Sequence, residues 1–288
     1  MDDPPIWSAE ALHDGYGQRL RIDRLLYDSE TEHQRLRVFE NAHMGRVLTL
    51  DGVVQTTTAD EFMYHEMLAH VPILAHGAAR RVLIVGGGDG GMAREVLRHS
   101  AVEHVTMVEI DAGVVDFSRE YLPTLSDGAF DDPRLELVIA DGAAFMAESA
   151  EAFDVIIVDS TDPIGPGEAL FTKTFYANTR RRLTGNGILV TQNGVPFMQP
   201  DELVTTIAAF QPLFAEATCY LTHVPTYAGG PMALGWGAMQ AGASDVPLET
   251  LRARFEAADI VTRYYTPELH RAAFALPVYI RDLVEGAR

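Results

Sequence analysis

Short, strongly apolar segments alternate with helical ones through the middle of the chain. The apolar segments span residues 82–85, 105–108, 135–139, 155–158 and 188–191, and residues 92–99 and 112–121 have a helical pattern. Strands that are apolar on both faces and alternate with helices predict a parallel sheet that is covered by helices on both sides. The β-rich segments 218–222 and 233–239 are expected to extend this sheet, and residues 252–258 are expected to be helical.

The N-terminal part of the chain lacks a helical period. It contains strand-like segments at residues 18–27, 34–40 and 46–57. Gly45 and the Asp51-Gly52 pair are typical turn residues, so these segments predict a small antiparallel β module. A helix is predicted over residues 60–74, with Pro72 disturbing its last turn. No Ser/Gly-rich linker is present, so we expect the N- and C-terminal parts to pack tightly against each other.

A glycine-rich turn follows the first strand of the predicted parallel sheet. Gly86, Gly88 and Gly91 satisfy the pattern G-x-G-x-x-G, which is typical of dinucleotide-binding sites. Glycine is expected where a ligand approaches the backbone closely and where the turn needs a positive φ. The pattern is shared by several nucleoside-binding classes and does not distinguish between them.

Two acidic residues follow the next two strands. Glu109 lies about twenty residues after the glycine turn, where a carboxylate can accept hydrogen bonds from two ribose hydroxyls. Asp141 could accept from an adenine amino group, with the backbone N–H of Gly142 donating to the ring. Asp141 is equally well placed to cap a helix. Taken together, the glycine turn and these residues favour an adenosyl-sulfonium ligand over NAD.

The fourth strand leads into a second acidic segment. Asp159 and Asp162 leave the carboxyl end of this strand, and Asp89 lies in the glycine turn at the same edge of the sheet. In an open α/β sheet this edge is the ligand crevice. Buried carboxylates are costly unless a cation accompanies them, and the sequence places no Lys or Arg nearby, so we predict a cation-binding pocket. The alternative that Asp159 and Asp162 are only turn residues before Pro163 stays open.

Composition narrows the class of ligand. The chain of 288 residues has 22 Lys and Arg against 41 Asp and Glu, a net charge of −19, which argues against nucleic acid and anionic membranes as partners. This negative charge suits a cationic ligand, although many proteins are acidic for solubility alone. The single cysteine, Cys219, permits no internal disulfide and is expected in the core, as are Trp7 and Trp236. No apolar run reaches a membrane span and no secretory signal is evident, so a cytoplasmic location is expected.

Several segments, spread over most of the chain, resemble the spermidine synthase family of polyamine aminopropyltransferases, and its enterobacterial type in particular. The segments that carry the resemblance are 50–55 (LDGVVQ), 60–67 (DEFMYHEM), 86–90 (GGGDG), 108–111 (VEID), 159–166 (DSTDPIGP) and 224–227 (VPTY). Together they are far more specific than the glycine turn alone. They imply an α/β fold in which a small N-terminal antiparallel β domain, residues 1–58, precedes a Rossmann-like, class I methyltransferase-type domain, residues 59–288, with a mostly parallel central sheet.

The resemblance also implies roles for the matched residues. The implied nucleoside contacts are Gln34, Gly86, Gly88, Glu109, Asp141, Gly142 and Pro166, with Glu109 on the ribose and Asp141 and Gly142 on the adenine. The implied amine contacts are Tyr64, His65, Asp89, Asp162 and Tyr227, of which Asp89 holds the terminal amine of an aminopropyl group. Asp159 resembles the residue that accepts the proton during catalysis.

The activity that the resemblance implies is that of a spermidine synthase. Such an enzyme transfers the aminopropyl group of decarboxylated S-adenosylmethionine to putrescine and releases 5′-methylthioadenosine. The donor is a co-substrate, so no cofactor is expected, and the family assembles as dimers or tetramers. Thr58-Ala59 departs from the residues that the family often has before Asp60-Glu61. Gly229-Gly230-Pro231 lies in a loop that varies with amine specificity, and leaves the preferred amine open.

Three other functions fit part of the pattern. A class I methyltransferase would share the sheet, the glycine turn and Glu109, and an NAD-dependent oxidoreductase would share the glycine pattern. A polyamine- or nucleoside-binding protein without catalysis is the third. No metal site is expected, because His65 and His70 are five residues apart and a helix would place them about 140° apart.

Overall fold

The computed structural model describes residues 5–10, 12–13, 15–163 and 165–287, without the side chain of residue 166. Within these ranges the strands are β1 (Ile6–Ala9), β2 (Arg19–Ile22), β3 (Arg24–Glu30), β4 (Arg35–Asn41), β5 (Gly45–Leu50), β6 (Val53–Thr57), β7 (Arg81–Gly86), β8 (His104–Glu109), β9 (Leu135–Ile139), β10 (Phe153–Asp159), β11 (Leu183–Gln192), β12 (Glu216–Thr222) and β13 (Met232–Ala238).

The helices in the same ranges are α1 (Glu61–His76), α2 (Gly91–Leu97), α3 (Ala112–Tyr121), α4 (Pro123–Ser126), α5 (Gly142–Glu148), α6 (Lys173–Arg182), α7 (Pro200–Phe210), α8 (Leu248–Ala258), α9 (Pro267–Ala273) and α10 (Val278–Gly286). Two 3₁₀ segments cover Ala129–Asp131 and Gly165–Phe171. None of the described helices is long and apolar enough to cross a membrane.

The strands form three sheets. β1 pairs with β2, and β3 to β6 form an antiparallel meander of four strands. The largest sheet has seven strands in the order β12-β13-β11-β10-β7-β8-β9. The pairings among β11, β10, β7, β8 and β9 are parallel, whereas β13 pairs antiparallel with β11 and β12. A small antiparallel part followed by a mostly parallel sheet with helices confirms the predicted fold class.

The parallel strands are apolar on both faces because helices cover both sides of the sheet. On β7, Val82 and Ile84 belong to the core formed with α1 and α2. Leu83 and Val85 alternate with them and belong to the core formed with α5, α6 and α7. Successive side chains of a strand point to opposite faces, so an uninterrupted apolar run is what a doubly covered strand requires.

The order of the large sheet reverses beside β7. The chain continues from β7 to β8 and β9 on one side, and then returns to β10 on the other side of β7. A crevice forms outside the carboxyl ends of parallel strands at such a reversal, which is where ligands bind in open α/β sheets. The loops after β7, β8, β9 and β10 therefore converge on one place.

The N-terminal meander packs against the large domain as expected. Leu36, Val38 and Leu48 share one core cluster with Val114 and Phe117 of α3. The predicted domain boundary after residue 58 falls in the short segment between β6 and α1. The division into residues 1–58 and 59–288 stays a prediction.

Several details differ from the sequence-based expectation. The segment predicted as one strand, 18–27, is interrupted at Asp23, because β2 pairs with β1 whereas β3 pairs with β4. Residues 46–57 form a hairpin of two strands. α1 continues past Pro72 to His76, since nearly all of its side chains are buried and packing outweighs the lost hydrogen bond. Cys219 and Trp236 are buried as expected. Trp7 was expected in the core and is 47% exposed, because β1 lies in a separate two-stranded sheet.

Candidate active site

A deep pocket lies at the carboxyl edge of the large sheet and encloses about 380 Å³, a size typical of small-molecule sites. Nearly all of the sequence-predicted site residues line it, namely Gln34, Tyr64, His65, Gly86, Gly88, Asp89, Glu109, Asp141, Gly142, Asp159, Asp162 and Tyr227. The remaining one, Pro166, has a side chain outside the described part of the structure. The topology thus brings together residues that are far apart along the chain.

The glycine turn is shaped by neighbouring protein atoms as much as by a ligand. Gly86 has a φ of +89°, and a Cβ there would lie 2.1 Å from the backbone oxygen of Asp159. A Cβ on Gly88 would lie 2.8 Å from Oε2 of Glu109. Larger residues would therefore push β7 away from β10 or displace the acid of β8. Contacts within the chain therefore require these glycines even without a ligand close to the backbone.

Glu109 is the acid at the carboxyl end of β8. It is nearly buried, and its Oε1 accepts a hydrogen bond from the backbone N–H of Asp111 at 3.0 Å. Burial raises the pKa of Glu109 to about 7, against the effect of the backbone N–H donors. Oε2 lies beside Gly88 and faces the pocket, where it can accept from a hydroxyl pair such as that of a ribose.

Gln34 reaches the same side of the pocket from the N-terminal domain. The carboxylate of Asp111 accepts from Oγ1 of Thr31 at 2.7 Å and from Nε2 of Gln34 at 3.4 Å. These bonds fix the loop before β4 to the start of α3. Gln34 is thereby held against the residue two positions after Glu109, and the side chains of both Gln34 and Glu109 line the pocket.

Asp141 caps a helix and also lines the pocket. Its Oδ1 accepts from the backbone N–H of Ala144 at 2.8 Å, so it caps α5, and the residue also lines the pocket. The cap uses one carboxylate oxygen and leaves the other available to a ligand. Gly142 packs closely on the sheet, since a Cβ there would lie 2.6 Å from Cγ1 of Val85.

The three predicted carboxylates meet in the pocket. Oδ1 of Asp89 accepts from the backbone N–H of Gly91 at 2.8 Å. Oδ1 of Asp159 accepts from the hydroxyl of Tyr64 at 2.7 Å. Asp162 lies three residues after the end of β10 and lines the same pocket. Asp159, which ends β10, and Asp162 are thus both pocket residues.

The charge of this cluster is only partly compensated inside the chain. Burial raises the pKa of Asp159 to about 6, with a contribution from Asp89 that His65 opposes. Burial likewise raises the pKa of Asp89. Among the described residues that line the pocket, none is Lys or Arg. The cluster is therefore suited to a cationic ligand, which favours the ionised state of these acids.

Two tyrosines form one wall of the pocket. The hydroxyl of Tyr227 donates to the backbone oxygen of Gln55 at 2.6 Å, and its ring meets that of Tyr64 edge to face with centroids 5.9 Å apart. The loop that carries Tyr227 is fixed to the start of α1, because Oδ2 of Asp60 accepts from the N–H and the hydroxyl of Thr226. The aromatic wall can cover a methylene chain and attract a cation.

His65 lies between two carboxylates at this pocket. Its Nδ1 lies 2.6 Å from Oε2 of Glu61, and its Nε2 lies 3.8 Å from Oδ2 of Asp89. Burial opposes protonation, yet the charges of Asp89 and Glu61 raise the pKa of His65 to about 9. The sequence places His65 with the amine contacts. The structure places its imidazole between two carboxylates.

Gly91, the third glycine of the pattern, makes room for His65. A Cβ on Gly91 would lie 2.4 Å from Cε1 of the imidazole. Alanine normally favours a helix over glycine by about 1 kcal/mol. We nevertheless expect Gly91→Ala to lower stability by about 1–3 kcal/mol through overpacking, and to reduce kcat/KM by displacing His65. Thermal unfolding and steady-state kinetics measure both effects.

Gly286→Ala is the matched control for this prediction. Gly286 is also helical, and a Cβ there would meet nothing within 4 Å. Its replacement should leave stability unchanged or slightly higher, with normal kinetics. A Gly91→Ala protein as stable and as active as the wild type would contradict the packing argument.

Comparison with known proteins identifies the family. The family model described as "Spermine/spermidine synthase domain" matches residues 61–244, and that described as "Spermidine synthase tetramerisation domain" matches residues 6–58. The chain belongs to the spermine/spermidine synthase family. The resemblance seen in the sequence is thereby confirmed.

Relatives in this family are similar over almost their whole length. A polyamine aminopropyltransferase of Ruegeria sp. is 69% identical over 278 residues, which cover 96% of this chain and 98% of that protein. Polyamine aminopropyltransferase 1 of Pseudomonas aeruginosa is 62% identical over 275 residues, 96% of each chain. An enterobacterial relative, the polyamine aminopropyltransferase of Klebsiella pneumoniae, is 52% identical over 286 residues, 99% of this chain and 100% of that protein.

Solved structures of the family have the same fold. A spermidine synthase in complex with the transition state analogue AdoDATO has a TM-score of 0.92 at 36% identity, covering 99% of this chain and 98% of that one. The spermidine synthase from Thermotoga maritima has a TM-score of 0.89 at 35% identity, covering 99% and 97%.

Some residues of this family site escaped the sequence argument. Glu10, Gln192 and Gln199 line the pocket without belonging to any of the segments considered. Glu61 and Arg94 lie behind it, where Oε2 of Glu61 is 2.8 Å from Nη2 of Arg94. The spacing of Glu61 and His65, four residues apart on a helix, was a usable signal. No sequence signal indicated that Arg94, which lies on another helix, contacts Glu61.

The described residues hold no group of three or more His, Cys, Asp or Glu placed to bind a metal ion. His70 points away from the pocket toward α2, where its Nδ1 lies 2.9 Å from Nε2 of His99. The side chains of His65 and His70 therefore lie in different parts of the structure, as their spacing on the helix predicts.

Proposed function

We propose that this chain is a spermidine synthase that transfers the aminopropyl group of decarboxylated S-adenosylmethionine to putrescine. The products are spermidine and 5′-methylthioadenosine. The observation that carries the proposal is that three carboxylates, Asp89, Asp159 and Asp162, line one pocket together with the glycine turn at the carboxyl edge of the sheet. Such a pocket suits a sulfonium nucleoside and a diamine, both of which are cationic.

The donor occupies the side of the pocket formed by the glycine turn and β8. Glu109 accepts from the ribose hydroxyls, with Gln34 beside it, and Asp141 with Gly142 holds the adenine. Gly86 and Gly88 let the chain pass close to the sulfonium, and Pro166 is assigned to the nucleoside pocket from the family resemblance. Asp89 pairs with the terminal ammonium of the aminopropyl group, which is a contact that S-adenosylmethionine, with its own carboxylate, does not favour.

The acceptor lies between the carboxylates of β10 and the tyrosine wall. Asp159 faces the attacking amine, while Asp162 pairs with the distal ammonium and fixes the register of the diamine. Tyr64 and Tyr227 cover the methylene chain. His65 lies on the donor side of Tyr64, next to Asp89. Holding both reactants in one geometry converts a bimolecular encounter into a near-attack arrangement, which supplies much of the acceleration.

The reaction is a direct in-line displacement. The lone pair of the amine nitrogen forms a bond to the aminopropyl carbon next to sulfur. The carbon–sulfur bond breaks at the same time, and its electron pair stays on sulfur, which becomes a neutral thioether. The proton that the nitrogen must lose passes to Asp159 and then to solvent. No cofactor takes part, because the donor is itself a co-substrate.

Proton acceptance by Asp159 depends on its surroundings. An alkylammonium has a pKa of about 10 and an ordinary carboxyl one of about 4, which is a poor match for proton transfer. Burial raises the pKa of Asp159 to about 6. Partial desolvation lowers the pKa of the bound amine, so the two values approach each other. The hydrogen bond from Tyr64 keeps the carboxylate oriented.

The proposal extends to assembly and location. A homodimer or homotetramer is expected, since one family model is described as a tetramerisation domain and matches residues 6–58. Ile6, Trp7 and Leu25 in that region are strongly exposed apolar residues that another subunit can cover. The net charge of −19 disfavours nucleic acid and membranes as partners. A cytoplasmic location is proposed from the same composition.

A donor and amine panel tests the function. The purified chain is incubated with decarboxylated S-adenosylmethionine or with S-adenosylmethionine, and with putrescine, cadaverine or spermidine, and products are identified by mass. We expect aminopropylated putrescine from the decarboxylated donor. Methyl transfer from S-adenosylmethionine would identify a methyltransferase instead, and binding of both ligands without any product would identify a binding protein.

A further inference from the structure

A chain of charged side chains leads from the pocket into the interface between α1 and α2. Asp89 in the pocket lies 3.8 Å from Nε2 of His65, and Nδ1 of the same imidazole lies 2.6 Å from Glu61. Glu61 is 7% exposed and His65 is 2% exposed. The imidazole is thus enclosed by an acid on each side, and only one of these two acids lies in the pocket.

Arg94 of α2 fixes Glu61 from behind. Nη2 of Arg94 lies 2.8 Å from Oε2 of Glu61, and its Nε donates to Oε1 of Glu95 at 2.8 Å. Its Nη1 also donates to the backbone oxygen of Leu125 at 2.7 Å. A guanidinium held at three points cannot follow a moving carboxylate, so it defines where Glu61 and hence the imidazole must lie.

We infer that Glu61, fixed by Arg94, is a positioning residue that keeps the imidazole of His65 protonated and directed at Asp89. The pocket then contains a cation of its own before any ligand arrives. This imidazolium holds Asp89 in the ionised state, so that the terminal ammonium of the donor meets a carboxylate and not a neutral carboxyl. Gly91 leaves the space that the imidazole ring occupies and so contributes to the same arrangement.

The titratable groups near the imidazole come from several elements of the fold. They are Glu61 and Tyr64 on α1, Asp89 in the glycine turn, Arg94 on α2, Asp159 at the end of β10, and Tyr227 in the loop before β13. Burial opposes protonation of His65, but the nearby acids raise its pKa to about 9. Removing the charge of Glu61 must therefore lower the pKa of His65. Burial raises the pKa of Asp89 and the imidazolium opposes this rise, so removing the imidazole itself must raise the pKa of Asp89 further.

The first test needs no substrate. The ring signals of histidine-labelled protein are titrated by NMR, with His65 identified by the signal that His65→Gln removes. We expect a pKa of about 9 in the wild type. We expect Glu61→Gln to lower it by about one unit or more. A wild-type value below about 7 would overturn the inference without any variant, as would an unchanged value in Glu61→Gln.

Glu66→Gln is the matched control on the same helix. Glu66 is also buried, and it accepts from the backbone N–H groups of Arg263, Tyr264 and Tyr265 at 2.7, 2.8 and 2.7 Å. Its replacement should lower stability and leave the titration of His65 where it was. An equal shift of the His65 pKa in both variants would show a general effect of buried charge and overturn a specific role for Glu61.

The second test rests on the proposed function. Affinities for decarboxylated S-adenosylmethionine and for 5′-methylthioadenosine, which lacks the aminopropyl group, are measured by calorimetry across pH. In His65→Gln, which removes the imidazolium beside Asp89, the pH below which the donor binds poorly should rise by about one unit, while the affinity for methylthioadenosine stays within about threefold of the wild type. No difference between the two ligands would overturn the link to Asp89. The NMR titration tests the effect of Glu61 on the pKa of His65 independently of the proposed transferase activity.

Discussion

Asp159→Asn should reduce kcat by about 10³-fold at about pH 8, because the variant cannot accept the proton that leaves the attacking amine. Affinity for methylthioadenosine should stay close to that of the wild type, since Asp159 is assigned to the amine and not to the nucleoside. Steady-state kinetics and calorimetry separate the two quantities. A variant with wild-type kcat would contradict the assigned role.

The same substitution should stabilise the ligand-free protein. The folded-state pKa of Asp159, about 6, lies above its ordinary value of 3.8, so the folded chain holds this proton more tightly than the unfolded chain. The stability contributed by the neutral carboxyl is therefore present below about pH 4 and is lost as pH rises through about 6. Asparagine cannot ionise and avoids this loss.

The expected size follows from the pKa difference. Each pKa unit corresponds to about 1.4 kcal/mol, so we expect Asp159→Asn to raise Tm by about 3–6 °C at about pH 8. The gain should shrink toward zero at about pH 4. A lower Tm at both pH values would show that Asp159 supports the fold, which the acidic pocket does not predict.

Asp89→Asn should weaken binding of decarboxylated S-adenosylmethionine by about 100-fold, because the ammonium of the aminopropyl group loses its charged partner. Methylthioadenosine has no such ammonium, so its affinity should change by less than about threefold. Calorimetric titration with each ligand at the same pH gives the ratio directly. Equal weakening of both ligands would count against an ammonium contact at Asp89.

Asp162→Asn is the matched control for this experiment. It removes a carboxylate from the same pocket, but one that is assigned to the distal ammonium of the diamine. The KM for putrescine should rise, while the affinity for the decarboxylated donor stays near that of the wild type. A loss of donor affinity as large as that of Asp89→Asn would show that the two acids share one general electrostatic effect.

The large domain was predictable because its pattern is local and repeated. Doubly apolar strands such as 105–108 and the helix 112–121 appear in the structure with nearly the predicted bounds, as β8 and α3. The carboxyl ends of parallel strands lie at the same edge of a sheet. The alternation of strands and helices was therefore enough to predict that Asp89, Glu109 and Asp159 lie at one edge. The N-terminal part was less predictable, since the sheet change at Asp23 depends on which strands pair.

The features that could not be predicted from the sequence depend mostly on tertiary contacts. The length of α1 beyond Pro72 and the exposure of Trp7 depend on what packs against them, which no local pattern records. The position of Arg94 behind Glu61 requires α1 and α2 to be side by side. The acidic residues of the pocket could be counted from the sequence, but the contact that fixes Glu61 against Arg94 could not be predicted from it.

A crystal structure with methylthioadenosine and putrescine bound tests the central claim most directly. We expect the adenosine along Glu109 and Asp141, one amine nitrogen within hydrogen-bond distance of Asp159, and the other near Asp162. A diamine bound outside the acidic pocket, or carboxylates turned away from it to pair with cationic side chains of the protein, would contradict the account.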